Sequence, residues 1–564
     1  MPKLDTSNFN VVLTFAGGWI SLFGLVSYLL KEHFSLSEAF ISLCSGVAFG
    51  PHGANFIRPL HYAGGSVASL ERLNLDFTRL VLGVQLVLAG IQLPSRYLQK
   101  EFWSILLLVG PILTTMWLVT SCLIWGLVPD LPILHALAVG ACVAPTDPVL
   151  SAVVIKGRFA DENIPVELQR VIIAESGTND GLGYPFLFFA LYLIQQHREG
   201  PGPAGEVANP GVGWAMRMWF GETWGWVVLF SIAYGFAVGY AAKVLLYGAQ
   251  KRGFVDRESF LIFAVSIALF ITGSCGLLGT DDVLACFVAG NAFTWDDWFR
   301  QETVDDSLQP TVDMILNVAI FIWLGAVCPW HLFAENSVIS LPRLVALGIL
   351  VLLLRRLPIV MMLHRFIPQV KETRQALFVG FFGPIGVSAI FYLYLALEFV
   401  QSVREKDPDR SDLDSLGETF FVVVWFLAVC SIVVHGLSIP LGKLGFFLPQ
   451  KLFAAPASNE ENFENREGGA DEEEPLLIDI EATTHKIPSQ PRHNPDPIPS
   501  NSTPPSTPPS LFPPRQKGKP PAASQINPTT RSPQDSPTCP ASTRPTSSPP
   551  TTPCAPTRTT PTGS

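Results

Sequence analysis

Several side chains that carry charge or share protons stand where a membrane-spanning helix ordinarily has none. In Ala141-Cys-Val-Ala-Pro-Thr-Asp-Pro-Val-Leu150, Asp147 lies between Pro145 and Pro148. In Val171-Ile-Ile-Ala-Glu-Ser-Gly-Thr-Asn-Asp180 the polar set is Glu175, Ser176, Asn179 and Asp180. An Asp at the bilayer centre costs roughly +2.5 to +3.5 kcal/mol even on lenient insertion scales. A chain that keeps such residues uses them, most often to bind an ion or pass a proton. Helical spacing puts Ser176 and Asp180 on one face and Glu175 and Asn179 on the adjacent one. Asp147 and Asp180 facing each other beside the Thr146 carbonyl would offer hard oxygen ligands to a partly dehydrated Na⁺ or K⁺, with Ser176 adding another. Burial and a like-charge neighbour both raise a carboxyl pKa. The same pair can therefore hold a proton when the metal leaves, and that competition is all an exchanger requires. Asn179 carries a donor and an acceptor without charge, so it is read as a brace for broken-helix backbone.

The elements that must position these groups follow from proline. Pro145 and Pro148 fall in the middle of an apolar span and remove backbone donors, so the helix should break there. Broken backbone at membrane depth is tolerable where it is buried in protein or lines a cavity. A matching irregularity lies in Val379-Gly-Phe-Phe-Gly-Pro-Ile-Gly-Val-Ser-Ala-Ile390, where Gly380, Gly383, Pro384 and Gly386 interrupt a second span. With about thirteen spans and the seventh as hinge, the two broken spans occupy equivalent places in two six-helix halves of inverted topology. The expected fold is thus all-α and polytopic, with crossed discontinuous helices. Arg355 and Arg356 interrupt the apolar eleventh span ahead of Pro358, and a buried arginine needs an acidic partner. Glu175 with Arg356 as a brace is favoured over Glu175 as a third ion ligand.

Composition agrees with a membrane protein. Of 564 residues 48% are hydrophobic and only 15% charged, against about 25% charged in soluble domains. Apolar runs of about 20 residues recur from Phe9 to Pro440. Spans are placed to start near residues 10, 37, 75, 102, 131, 168, 223, 257, 279, 313, 341, 376 and 417. The first is too long for the apolar part of a cleavable leader and is read as a span. Placing the N-terminus outside puts Lys31, Arg96, Lys100, Lys156, Arg158, Lys251, Arg252 and Arg365 in the cytoplasm, the better fit to the positive-inside rule. The nine cysteines have no paired spacing and are read as packing residues. Asp281 and Asp282 follow Gly279-Thr280, where a helix N-cap is favoured over a cation funnel. Glu418 is read as a cap for the last span, and His435 and His364 as packing residues. The transmembrane domain is assigned to 1–450. Residues 451–564, first acidic and then rich in Pro, Ser and Thr, are expected to form a disordered cytoplasmic tail.

Taken together, Ala144-Pro-Thr-Asp-Pro148, Glu175-Ser-Gly-Thr-Asn-Asp180, Gly279-Thr-Asp-Asp-Val-Leu-Ala-Cys-Phe-Val-Ala-Gly-Asn291 and Val434-His-Gly-Leu-Ser-Ile-Pro440 resemble the fungal plasma-membrane Na⁺(K⁺)/H⁺ antiporters. These belong to the monovalent cation:proton antiporter superfamily. The resemblance implies exchange of Na⁺, and by extension Li⁺ and K⁺, for H⁺ at the plasma membrane. It also implies a homodimer in which a core domain moves against a dimerisation domain in elevator fashion. The cation would bind Asp180 with Asp147, Ser176 and the Thr146 carbonyl, and the acid matching Glu175 would pair with an arginine. No cofactor and no nucleic-acid partner are expected, only the ions and membrane lipid. Leu88 precedes Ala89-Gly90 where prokaryotic relatives carry a further acid. Asn179-Asp180 in place of a double acid goes with one-for-one exchange in much of the family. A channel would not need a matched pair of broken helices. Intramembrane aspartyl proteases place their two aspartates in different flanking motifs.

Overall fold

The computed structural model describes residues 8–28, 37–155, 164–196 and 211–452, and every regular element among them is helical. The longer ones, in chain order, begin with α1 (Asn8–Tyr28), α2 (Glu38–Phe49), α3 (Val67–Gln92) and α4 (Phe102–Leu127). Then come α5 (Ile133–Cys142), α6 (Pro148–Ile155), α7 (Val166–Gly181) and α8 (Gly183–Gln196). The second part of the chain gives α9 (Gly211–Lys251), α10 (Arg257–Leu278), α11 (Asp282–Phe293) and α12 (Leu308–Val327). It ends with α13 (Leu341–Phe366), α14 (Thr373–Phe381), α15 (Val387–Lys406) and α16 (Asp412–Leu452). Eight of these, α3, α4, α9, α10, α12, α13, α15 and α16, are long and apolar enough to cross a membrane. From residue 453 the expected tail lies outside the described residues.

Helix ends depart from the sequence expectation where helices outrun their apolar runs. α3 begins at Val67, not near residue 75, because Ser66 caps it by accepting from the Ser69 amide at 3.3 Å. The helix carries Glu71, Arg72 and Asn74 before it becomes apolar. Hydropathy marks where a helix meets lipid, whereas capping marks where it starts. α9 likewise starts at Gly211, ahead of the expected 223, and passes through widened π-type turns at Trp219–Leu229. Pro111 sits in a similar π turn, Leu108–Ile112, inside α4, which absorbs the missing amide without ending the helix. Glu418 does not cap the last span. It lies inside α16 and reaches across to Ser337, accepting from its amide at 2.9 Å and its hydroxyl at 2.5 Å, so it closes a loop rather than capping its own helix.

The short helices are held by close backbone contact. Gly90 of α3 and Gly290 of α11 face each other so tightly that a Cβ on Gly290 would lie 2.4 Å from the Val87 carbonyl oxygen. Small residues at such a crossing let two helices pack where lipid offers no hydrophobic driving force. Gly290→Val should therefore lower the thermal midpoint of the detergent-solubilised protein, an overpacking cost of about 1–3 kcal/mol. Gly248→Val, whose Cβ would meet nothing within 4 Å, is the matched control. Equal midpoints for the two variants would contradict this packing.

Candidate functional site

Two spans are interrupted by five residues each, 143–147 between α5 and α6 and 382–386 between α14 and α15. The interruptions meet. The Asp147 amide donates to the Pro384 carbonyl at 3.0 Å, and Arg355 donates to the carbonyls of Val143 in one and Gly383 in the other. Arg355 is 3% exposed, so one guanidinium satisfies carbonyls that both breaks leave without helical partners. It sits at a joint in α13 that Pro358 creates by withholding an amide from the turn above. Ser431 and His435 of α16 support the second interruption from behind. The Ile385 amide donates to Ser431 Oγ at 2.7 Å, and His435 Nε2 lies 3.1 Å from the Phe381 carbonyl.

Asp147 is a helix cap as well as a candidate ligand. Its Oδ2 accepts from the Leu150 amide at 2.8 Å, which starts α6 behind Pro148. Its Oδ1 accepts from the Ser388 amide at 3.3 Å, in the first turn of α15. Two helix N-termini thus face one carboxylate, and their partial positive charge compensates it. Gly386 makes this approach feasible, since a Cβ there would lie 2.5 Å from Asp147 Oδ2.

Asp180 is placed differently. It ends α7, fully buried like Asp147, and neither of its carboxylate oxygens has a hydrogen-bond partner among the described residues. Tyr392 of α15 bonds its main-chain carbonyl instead. An unpartnered buried carboxylate is costly unless it is neutralised by a proton or a cation. Around it, Asn179 braces the first interruption, accepting from the Thr146 amide at 3.1 Å and donating to Thr146 Oγ1 at 2.8 Å. Ser176 Oγ lies 3.1 Å from Thr146 Oγ1 and 3.2 Å from Ser151 Oγ. Asp147, Thr146, Ser176, Asn179 and Asp180 therefore converge on one buried polar centre.

Glu175 points away from that centre. It meets Arg356 in a two-pronged ion pair, with Nη2 to Oε2 at 2.8 Å, both residues buried. Arg356 Nε also donates to the Val379 carbonyl at 2.8 Å, tying α7 to α14. Asp281 caps α11 by accepting from the Leu284 amide at 3.0 Å. Asp282 instead pairs with Arg79 of α3 at 2.9 Å. A cavity of about 280 Å³ opens beside that pair, lined by Arg79, Tyr184, Glu222, Thr280, Asp282 and Glu398. Arg79, Ser388 and Tyr392 join the site without standing among the residues that the sequence motifs single out. Ser388 was within sight, since it follows the Gly383-Pro-Ile-Gly386 break directly. Arg79 and Tyr392 have no local signal, because their partners are more than two hundred residues away.

The family described as sodium/hydrogen exchanger, transmembrane, matches residues 20–441. A Na(+)/H(+) antiporter of Saccharomyces cerevisiae is 34% identical over 82% of this chain and 46% of its own length. Na(+)/H(+) antiporter 2 of Zygosaccharomyces rouxii is 33% identical over 82% of this chain and 56% of its own. The chain thus spans about half the length of these curated relatives. A Na(+)/H(+) antiporter of Schizosaccharomyces pombe, 32% identical over 78% of this chain, is covered over 91% of its length. Among solved structures, the sodium proton antiporter MjNhaP1 of Methanocaldococcus jannaschii superposes with a TM-score of 0.52 at 16% identity, over 78% of this chain and 100% of that one, a likeness of fold. With broken helices crossing at a buried aspartate centre, and with this match across most of the membrane-spanning region, the chain belongs to the transmembrane sodium/hydrogen exchanger family.

Proposed function

We propose that this protein is a secondary-active antiporter that exchanges Na⁺ for H⁺, with cation and proton competing for Asp180 and Asp147. The observation that carries the reading is the buried, unpartnered carboxylate of Asp180 beside a second carboxylate whose charge is already met by helix amides. Such a group must hold either a proton or a cation, and exchange follows when the two cannot bind together. Asp147, Ser176 and the Thr146 carbonyl supply the further oxygens. Asn179, Glu175, Arg355 and Arg356 hold the frame, Asp282 lines the cavity beside Arg79, and Asp281 caps α11. Li⁺ and K⁺ as additional cargo, the plasma membrane as location, an outside N-terminus with the 451–564 tail in the cytoplasm, and a homodimer with an elevator-moving core complete the proposal. They are supported by the family resemblance, by the distribution of Lys and Arg between loops, and by the meeting of the two broken helices.

The test is proton movement in proteoliposomes carrying an internal pH probe, started by adding Na⁺, Li⁺ or K⁺. Alkalinisation on one side that depends on an alkali cation and needs no other energy source is the expected result. Silence with all three cations would sink the proposal.

A further inference from the structure

Ser388 lies in the first turn of α15 and is 1% exposed. Its amide is used by Asp147, yet its hydroxyl has no hydrogen-bond partner among the described residues. A serine in the first turn of a helix ordinarily bonds a free backbone group nearby. Here the hydroxyl lies within hydrogen-bonding reach of both the Asp147 and the Asp180 carboxylates, without the alignment of a formed bond to either. The unpartnered oxygens of this centre are the two of Asp180 and the one of Ser388. They come from α7 and α15, two elements that the chain joins only through a long excursion. Buried oxygens without partners in one place call for something that binds oxygen.

We propose that Ser388 Oγ is a direct ligand of the transported cation, so that both broken helices, not one, touch the ion. The proposal rests on the exchange reading above and deepens it to a further binding residue that sets cation preference. A neutral hydroxyl offers lone pairs to a cation without adding charge. When Asp180 takes up a proton instead, the same oxygen accepts the hydrogen bond of the new carboxylic acid. One hydroxyl therefore serves both forms of the centre. The number and spacing of oxygens around an alkali ion decide which ion fits, whether through cavity size or ligand field. A ligand brought by the second broken helix fixes that spacing across the crossing.

The test uses the full chain in proteoliposomes, with half-saturating concentrations for Na⁺, Li⁺ and K⁺ measured for wild type, Ser388→Ala and Ser388→Thr. Loss of one hydroxyl ligand to a charged partner should raise the half-saturating Na⁺ concentration about tenfold in Ser388→Ala, with maximal flux changed far less. Ser388→Thr keeps the oxygen and adds a methyl to a closed site, so it should recover most of the affinity while shifting the Na⁺/K⁺ ratio. Unchanged half-saturation for all three cations in Ser388→Ala overturns the assignment. Absence of cation-coupled flux in wild type would overturn the exchange reading instead. Should Ser388→Ala fail to purify, Ser388→Thr decides by two readouts, the ion ratio and the rise in thermal midpoint on adding Na⁺. If both match wild type, Ser388 is not a ligand.

Discussion

Asp180→Asn should abolish cation-coupled proton flux, by about a hundredfold or more, while leaving the folded protein as stable as wild type or more so. The flux loss follows from removing the buried Asp180 carboxylate, neither of whose oxygens has a hydrogen-bond partner among the described residues. A buried charge partner is worth about 3–5 kcal/mol when one side alone is deleted, and each 1.4 kcal/mol is a factor of ten. Stability should not fall, because Asn is nearly isosteric and spares the protein an uncompensated charge in a buried site. Asp147→Asn makes the informative contrast. The Asp147 carboxylate accepts amides from the first turns of both α6 and α15. An asparagine there would turn an NH₂ donor toward one of those donors. That variant should lose thermal midpoint as well as flux. Flux and melting curves for the two variants in the same lipid settle the matter. Surviving flux in Asp180→Asn would end the shared-carboxylate account, and equal melting behaviour would show that the two carboxylates are not divided into cap and ligand.

The distinction between those two aspartates was not legible in the sequence, although both residues were. Pro145-Thr-Asp-Pro148 announces a break in one span and Gly383-Pro-Ile-Gly386 another, since proline and glycine act on the backbone at their own position. The structure has those breaks where the residues indicate, each five residues long. Helix periodicity groups Ser176 with Asp180 and Glu175 with Asn179, because spacing along one helix is a local property, yet Asn179 joins Ser176 at Thr146 while Glu175 turns to Arg356. What joins separate helices is not local. That Arg355 bonds carbonyls of both breaks, and that Arg79 takes Asp282, depends on how the helices cross, which hydropathy cannot report. The same limit explains Glu418. A carboxylate near the expected start of a span reads as a cap, yet the helix already begins at Asp412, and the side chain is free to bond Ser337 instead.

Glu175→Gln and Arg356→Leu should each destabilise the protein by about 3–5 kcal/mol, because each leaves one charge buried without its partner. Both side chains are almost fully enclosed, so water cannot take the partner's place. Arg356 would still reach the Val379 carbonyl through Nε in Glu175→Gln, but a neutral amide cannot balance the guanidinium. The double variant Glu175→Gln with Arg356→Leu removes both charges and should lose much less than the sum of the single losses, a coupling that a double-mutant cycle reads directly. The same pair of measurements separates a brace from a ligand. A brace lowers the thermal midpoint and leaves the half-saturating Na⁺ concentration of the surviving protein unchanged. A ligand does the reverse, shifting half-saturation at nearly constant midpoint. Because Glu175 spends both oxygens on Arg356, none is left to face the centre where Asp180 waits for an ion. The expected result is the first, and a stable Glu175→Gln protein with weakened Na⁺ dependence would reassign Glu175 to the site itself.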